Sequence, residues 1–130
     1  MNSEKQMKDN IENSIKEIYE KICNSFSELD FKNVLCYFDD SENMVKISNG
    51  KVLRGKKELE EYWKELINTE IELNIKIENI KVNTIDERHV WTTADEYINL
   101  SGSPQKAIVS NIFILTTQGW KILLDHTTYI

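Results

Sequence analysis

Beyond residue 70 the chain repeats one pattern: apolar and polar residues alternate in long runs, separated by short turn clusters. A period of two is that of a half-buried strand. Ile71, Leu73, Ile75 and Ile77 set the first run, and the phase then flips to Ile80 and Val82. One inserted residue swaps the faces of a strand, so a β-bulge is expected near Glu78–Asn79. Residues 86–89 read as a turn, 90–100 as a strand, Ser-Gly-Ser-Pro at 101–104 as a loop, and 105–117 and 120–129 as two further strands. Long strands with short connections form an antiparallel meander, and its apolar face needs a cover.

The first half of the chain supplies that cover. Met7, Ile11, Ile15, Ile18, Ile22 and Phe26 recur at steps of three and four, which makes one helical stripe. Asp30 is placed to cap a second helix over 31–38, closed by Asp39–Asp40. Met44 to Ser48 alternates, Asn49–Gly50 is a hairpin turn, and Val52–Leu53 returns. Gly55 breaks that strand, and a third helix places Leu59, Tyr62, Trp63, Leu66 and Ile67 on one side. Helices first and strands afterwards predict an α+β fold: one curved sheet with helices on its concave face, in a single domain over 1–130. The sequence shows no repeat, linker or low-complexity stretch.

Composition narrows the partners. The net charge is −6, with no basic stripe, which argues against nucleic acid. Lys51, Arg54, Lys56 and Lys57 cluster beside a turn and read as a solvated loop. No run of about 18 apolar residues exists, so no membrane span is expected. The polar start MNSEKQMKDN lacks a secretory apolar core, so a cytoplasmic location and free, buried thiols at Cys23 and Cys36 are expected. Abundant Lys, Ile and Asn fit an AT-rich bacterial genome.

Several segments in order resemble a known family. They are "LDFKNVLCYFDDS" after a long helix, "NGKVLRGKKELEEYW", "IELNIKIENIKV", "HVWTTADEY" and the final "GWKILLDHTT". Together they resemble the SnoaL-like branch of the NTF2-like superfamily over nearly the whole chain. The resemblance implies a cone-shaped α+β barrel whose curled, antiparallel or mixed sheet wraps N-terminal helices around a pocket. It also implies a homodimer through the outer face of the sheet. Members include ketosteroid isomerase, cyclases, dehydratases and assembly domains, so the fold does not give the function.

The candidate residues follow from strand geometry. Asp125 and His126 are adjacent in a strand, so they face opposite sides and cannot act as one dyad. Trp120, Ile122, Leu124, His126 and Thr128 form the more apolar face, which predicts His126 inward and Asp125 outward. A two-residue turn at Gln118–Gly119 sets Asn111 opposite His126, and a three-residue loop sets Ser110 there. Asp95 shares a face with Trp91, Thr93 and Tyr97; the other face holds Val90, Thr92, Ala94, Glu96 and Ile98. If the aromatic face looks inward, Asp95 is a desolvated carboxylate suited to general-base work, as in the ketosteroid isomerase example of such tuning. If the faces are reversed, it is a surface carboxylate. On the resemblance, Tyr37, Phe38 and Trp63 belong to the helices that lid the pocket. Ligand contacts are therefore expected from Tyr37, Phe38, Trp63, Trp91, Tyr97, Asn111 and His126, with Asp95 and His126 the candidates for catalysis.

No His/Cys cluster, zinc helix, glycine-rich phosphate loop or serine elbow is present, so no metal and no cofactor is expected. The leading expectation is a domain that binds a small apolar or amphipathic organic molecule, with catalysis left open. One alternative is an isomerase, cyclase or dehydratase using a pocket carboxylate as base. The other is a dimerisation or assembly module.

Overall fold

Local chemistry explains where each helix begins and ends. In the computed structural model, which describes the backbone of residues 2–67 and 71–130 and the side chains of 3–65 and 71–130, α1 runs Asn2–Ser27. Its buried stripe is centred on Ile15, Tyr19 and Ile22, with Ile11, Ile18 and Phe26 at its flanks. Met7 was expected in this stripe but is 64% exposed, because the first turns project past the sheet. Leu29, at φ 57°, stops the helix in the left-handed conformation of a C-terminal cap. The short helix α2, Phe31–Leu35, starts at Asp30, whose side chain accepts from the Asn33 amide at 3.1 Å. It ends three residues before the sequence pattern suggested, and Phe38 instead bridges to Ile122. Strands β1 (Val45–Ser48) and β2 (Lys51–Arg54) form the expected hairpin around Asn49 and Gly50, both with positive φ. Helix α3 spans Gly55–Ile67; Leu59 and Trp63 on it are buried. The expected apolar roles of the Leu66 and Ile67 side chains lie outside the described residues.

Strands β3 (Leu73–Asp86), β4 (His89–Leu100), β5 (Ser103–Thr116) and β6 (Gly119–Tyr129) are antiparallel neighbours. Among the described residues the strands make one six-stranded sheet in the order β2-β1-β6-β5-β4-β3. It is mixed, because β1 runs parallel to β6. The inner face packs under α1, with Val90 and Phe113 fully buried.

Three register shifts interrupt the sheet; one lies at Ile85 beside the β3–β4 turn, and the other two lie within the strands. Of those two, the first falls where the sequence placed it: Asn79 and Ile80 both lie opposite Ala94, between the pairs Glu78↔Asp95 and Lys81↔Thr93, with Asn79 at φ 54°. The second was not foreseen. Phe113 pairs with Ile122 but Ile112 pairs with Leu124, so Leu123 is the extra residue in β6. The β5–β6 turn also differs from both expected forms: Thr116 pairs with Gly119 around Thr117–Gln118.

The Leu123 bulge reverses the faces of the last third of β6. Ile122 points inward, but beyond Leu123 the inward residues are Asp125 and Thr127, which are 8% and 3% exposed. His126 and Thr128 are exposed on the outer side. The expected inward His126 and outward Asp125 are thus exchanged. In strand β4 the face of Val90, Thr92, Ala94 and Ile98 is the buried one. Trp91 and Tyr97, expected as possible pocket residues, are 43% and 37% exposed on the outer side, along with Asp95. Cys36 is also exposed and Cys23 half-buried, where both thiols were expected to be buried.

Candidate functional site

A cavity lies between the inner face of the sheet and the helices that cover it. Across neighbouring strands Ser48 registers with Thr127, Thr127 with Val109, and Val109 with Ala94. In the next row Tyr129 lies opposite Ala107, and Ala107 opposite Glu96. From these rows Ser48, Thr127, Val109, Glu96 and Tyr129 line the cavity, and Ile22, Phe26, Tyr62 and Trp63 line it from the helix side. The cavity holds about 200 Å³. That is somewhat more than the roughly 150 Å³ of an engineered apolar cavity able to take benzene. Trp63 closes one end, stacked on Phe31 at 5.6 Å and edge-on to Phe26 and Phe38.

Most of the lining is apolar, including Leu73, Ile75, Ile77 and Ile98. The polar part sits on the sheet. Lys46 registers with Asp125, and its Nζ donates to Asp125 Oδ2 at 2.8 Å, with the two side chains 15% and 11% exposed. Thr127 Oγ1 donates to Asp125 Oδ1 at 3.3 Å. Burial works to lower the Lys46 pKa, but the charge and hydrogen bond of Asp125 outweigh it and leave the ammonium above its ordinary value. Lys46 is therefore a held cation and not a nucleophilic amine.

Glu96 reaches into the same space. Burial, reinforced by the charge of Asp125 and opposed by Lys46, pushes its carboxyl up to about 7. It is poised between acid and base at neutral pH. Tyr129 beside it is also raised, by burial first and then by the Glu96 charge.

Beneath the cavity a second polar set ties the layers together. Tyr19 Oη donates to Asn111 Oδ1 at 2.5 Å and lies 2.5 Å from Thr92 Oγ1. Asn111 Nδ2 donates to the Leu124 carbonyl at 3.3 Å. Burial raises the Tyr19 phenol pKa, with the Thr92 hydrogen bond acting the other way. The Cys23 thiol is pushed up to about 12 by burial and then by Glu96, which makes it unreactive.

Of the residues expected from the sequence, Phe38, Trp63 and Asn111 line the cavity. Tyr37 faces a separate shallow pocket beside Lys21 and Trp120. Trp91, Tyr97 and His126 are exposed on the outer face, and Asp95 there accepts from Asn79 Nδ2 at 2.7 Å. His126 does register with Ser110, one of the two expected partners, but on the outer side. The residues missed are Lys46, Glu96, Asp125 and Tyr129. Glu96 carried a signal, since it is the one charge on an otherwise apolar or small β4 face. Lys46 carried none: in Val-Lys-Ile-Ser the apolar pair would be set inward, and pairing with β6 puts Lys46 there instead.

Solved structures share this architecture. An NTF-2 like protein of unknown function from Shewanella oneidensis MR-1 superposes with a TM-score of 0.78 at 15% identity, covering 89% of this chain and 97% of that one. An NTF2-like protein of unknown function from Pseudomonas putida KT2440 gives 0.80 at 10% identity, covering 92% and 86%. A ketosteroid isomerase-like protein from Erwinia carotovora atroseptica SCRI1043 gives 0.72 at 15% identity, covering 91% and 95%. The helix-filled, curled sheet is thus the NTF2-like α+β cone. Within that class, residues 15–129 match the SnoaL-like domain family, and the chain belongs to it. No curated protein matches the sequence.

Proposed function

We propose that the protein binds a small, mostly apolar organic molecule in the cavity between the sheet and helices α1 and α3. The observation that carries this reading is the cavity itself: about 200 Å³, apolar walls and a few convergent polar groups, the usual make-up of a ligand site. Titration with a one-ring probe such as 2-phenylethanol, followed by methyl NMR, tests it. Saturable shifts are expected at Ile77, Ile98 and Val109, with none at Ile108 on the outer face. Shifts that grow linearly and spread over both faces would end the proposal.

A second reading, proton transfer next to a carbonyl, rests on Glu96. A carboxyl near 7 inside an apolar cavity suits a general base. Asp95, the base suggested by the sequence, lies outside, so this reading now depends on Glu96. Phenylacetone in D₂O should exchange its α-protons faster with the protein than without it, and Glu96→Gln should remove the difference. Equal exchange by both proteins would eliminate this chemistry.

The assembly we propose is a homodimer through the outer face of the sheet. Trp91, Tyr97 and Ile108, 43%, 37% and 46% exposed, support it as an apolar patch. Light scattering should return twice the mass of 15.3 kDa, and Ile108→Lys should reduce it to one copy. A bacterial, cytoplasmic setting fits the composition. No helix among the described residues is long and apolar enough to cross a membrane.

A further inference from the structure

The charges on the cavity floor bear on what kind of molecule fits it. Lys46 and Asp125 face each other at 2.8 Å and cancel. Glu96 has no such counterpart: among the described residues no donor hydrogen-bonds its carboxylate, although it lines the cavity. The titratable groups around it are Lys46 on β1, Asp125 and Tyr129 on β6, and Tyr19 and Cys23 on α1. Tyr62 of α3 lines the same space. The neighbouring positions on β3 and β5 are Ile77 and Ala107, which carry no charge. Lys46 is the cation of this set, and Asp125 already matches it. An ionised Glu96 therefore leaves one uncompensated negative charge in an apolar cavity, which is costly.

Resting on the cavity reading, we propose that the occupant is an amphipathic amine: an apolar body the size of a substituted benzene ring, with one protonated nitrogen that donates to the Glu96 carboxylate. The apolar body displaces water from the walls near Ile77, Ile98 and Trp63. The ammonium supplies the charge that the floor lacks. A carboxylate ligand could reach Lys46 only by facing two carboxylates, and a neutral alcohol leaves Glu96 uncompensated. Amine binding holds Glu96 ionised. Because burial pushes that carboxyl up to about 7 in the protein alone, binding at lower pH must first release its proton. Amine affinity then falls about tenfold per pH unit below that value, while affinity for a neutral isostere stays level.

The test uses 2-phenylethylamine, 2-phenylethanol and phenylacetate, titrated by calorimetry into the intact protein and into Glu96→Gln at about pH 8 and about pH 5.5. At the higher pH the amine should bind about tenfold or more tighter than the alcohol, as a charge-assisted hydrogen bond implies. At the lower pH, and in Glu96→Gln at either pH, the preference should shrink to about twofold or less. Equal affinity for amine and alcohol at the higher pH, tighter binding of phenylacetate, or a preference that survives Glu96→Gln would overturn the inference and leave the cavity reading intact. If none of the three probes binds saturably, the cavity reading itself fails. Should Glu96→Gln not fold, the pH comparison on the unmodified protein decides.

Discussion

Asp95 and Glu96 are neighbours on one strand, and Asp125 and His126 on another, yet each pair is divided between two environments. On the outer face, Asp95 bonds Asn79 near water and His126 lies exposed. On the inner face, Glu96 is pushed up to about 7 and Asp125 holds a mostly buried lysine. The difference shows that residue type alone does not make a site in a sheet. The phase of the strand decides whether a carboxylate meets water or a low-dielectric cavity, and a bulge can reverse that phase.

Removing one partner of the inner ion pair should have the largest effect. Asp125→Ala strips Lys46 of its hydrogen-bonded carboxylate, with Glu96 the remaining acid near that cation, and should cost about 3 kcal/mol in urea unfolding. The double variant Lys46→Met, Asp125→Leu should recover most of that loss. If Asp125→Ala unfolds like the parent, the pair is solvated and the two faces do not differ as described.

The pH dependence of stability follows from Glu96. Its folded carboxyl is raised from 4.5 to about 7, so between those values the folded state holds a proton that the unfolded state has released. Stability should therefore fall as pH rises from about 4.5 to about 7, by on the order of 2 kcal/mol after allowance for its partial exposure. Denaturant midpoints across that range measure it, and Glu96→Gln should remove this component. A slope that survives Glu96→Gln would mean that this carboxylate does not set the pH dependence.

Tyr19→Phe removes the phenol shared by Thr92 and Asn111 and should cost about 1–2 kcal/mol, since Asn111 is left buried without that donor. Helical circular dichroism should persist at room temperature. The smallest effect belongs to the outer face. His126→Ala should change stability by less than about 0.5 kcal/mol and leave 2-phenylethanol binding unaltered. A loss of binding would mean that the histidine reaches the cavity after all.

The chain order of helices and strands was open to reading from periodicity, because 3.6 and 2.0 are distinct repeats and the Asn49–Gly50 and 101–104 turns punctuate them. The first bulge was legible too, since Ile77 and Ile80 break the alternation in plain view. The second was hidden. Ile122, Leu123 and Leu124 are all apolar, so an inserted residue among them leaves no phase break to see. That one silent step moved His126 out and Asp125 in. Trp91 and Tyr97 misled for a different reason: large aromatic rings suggest a core, but the buried face of β4 is the one that carries Val90, Thr92, Ala94 and Ile98.

The sequence by itself determined the α+β class, the four-strand meander and the long helix that covers it. These follow from local repeats and from turn residues that few conformations satisfy. Only the tertiary structure decided which polar groups meet. Lys46, Glu96 and Asp125 lie far apart along the chain. They converge through the parallel β1–β6 pairing and the phase shift at Leu123, both of which are properties of register between strands.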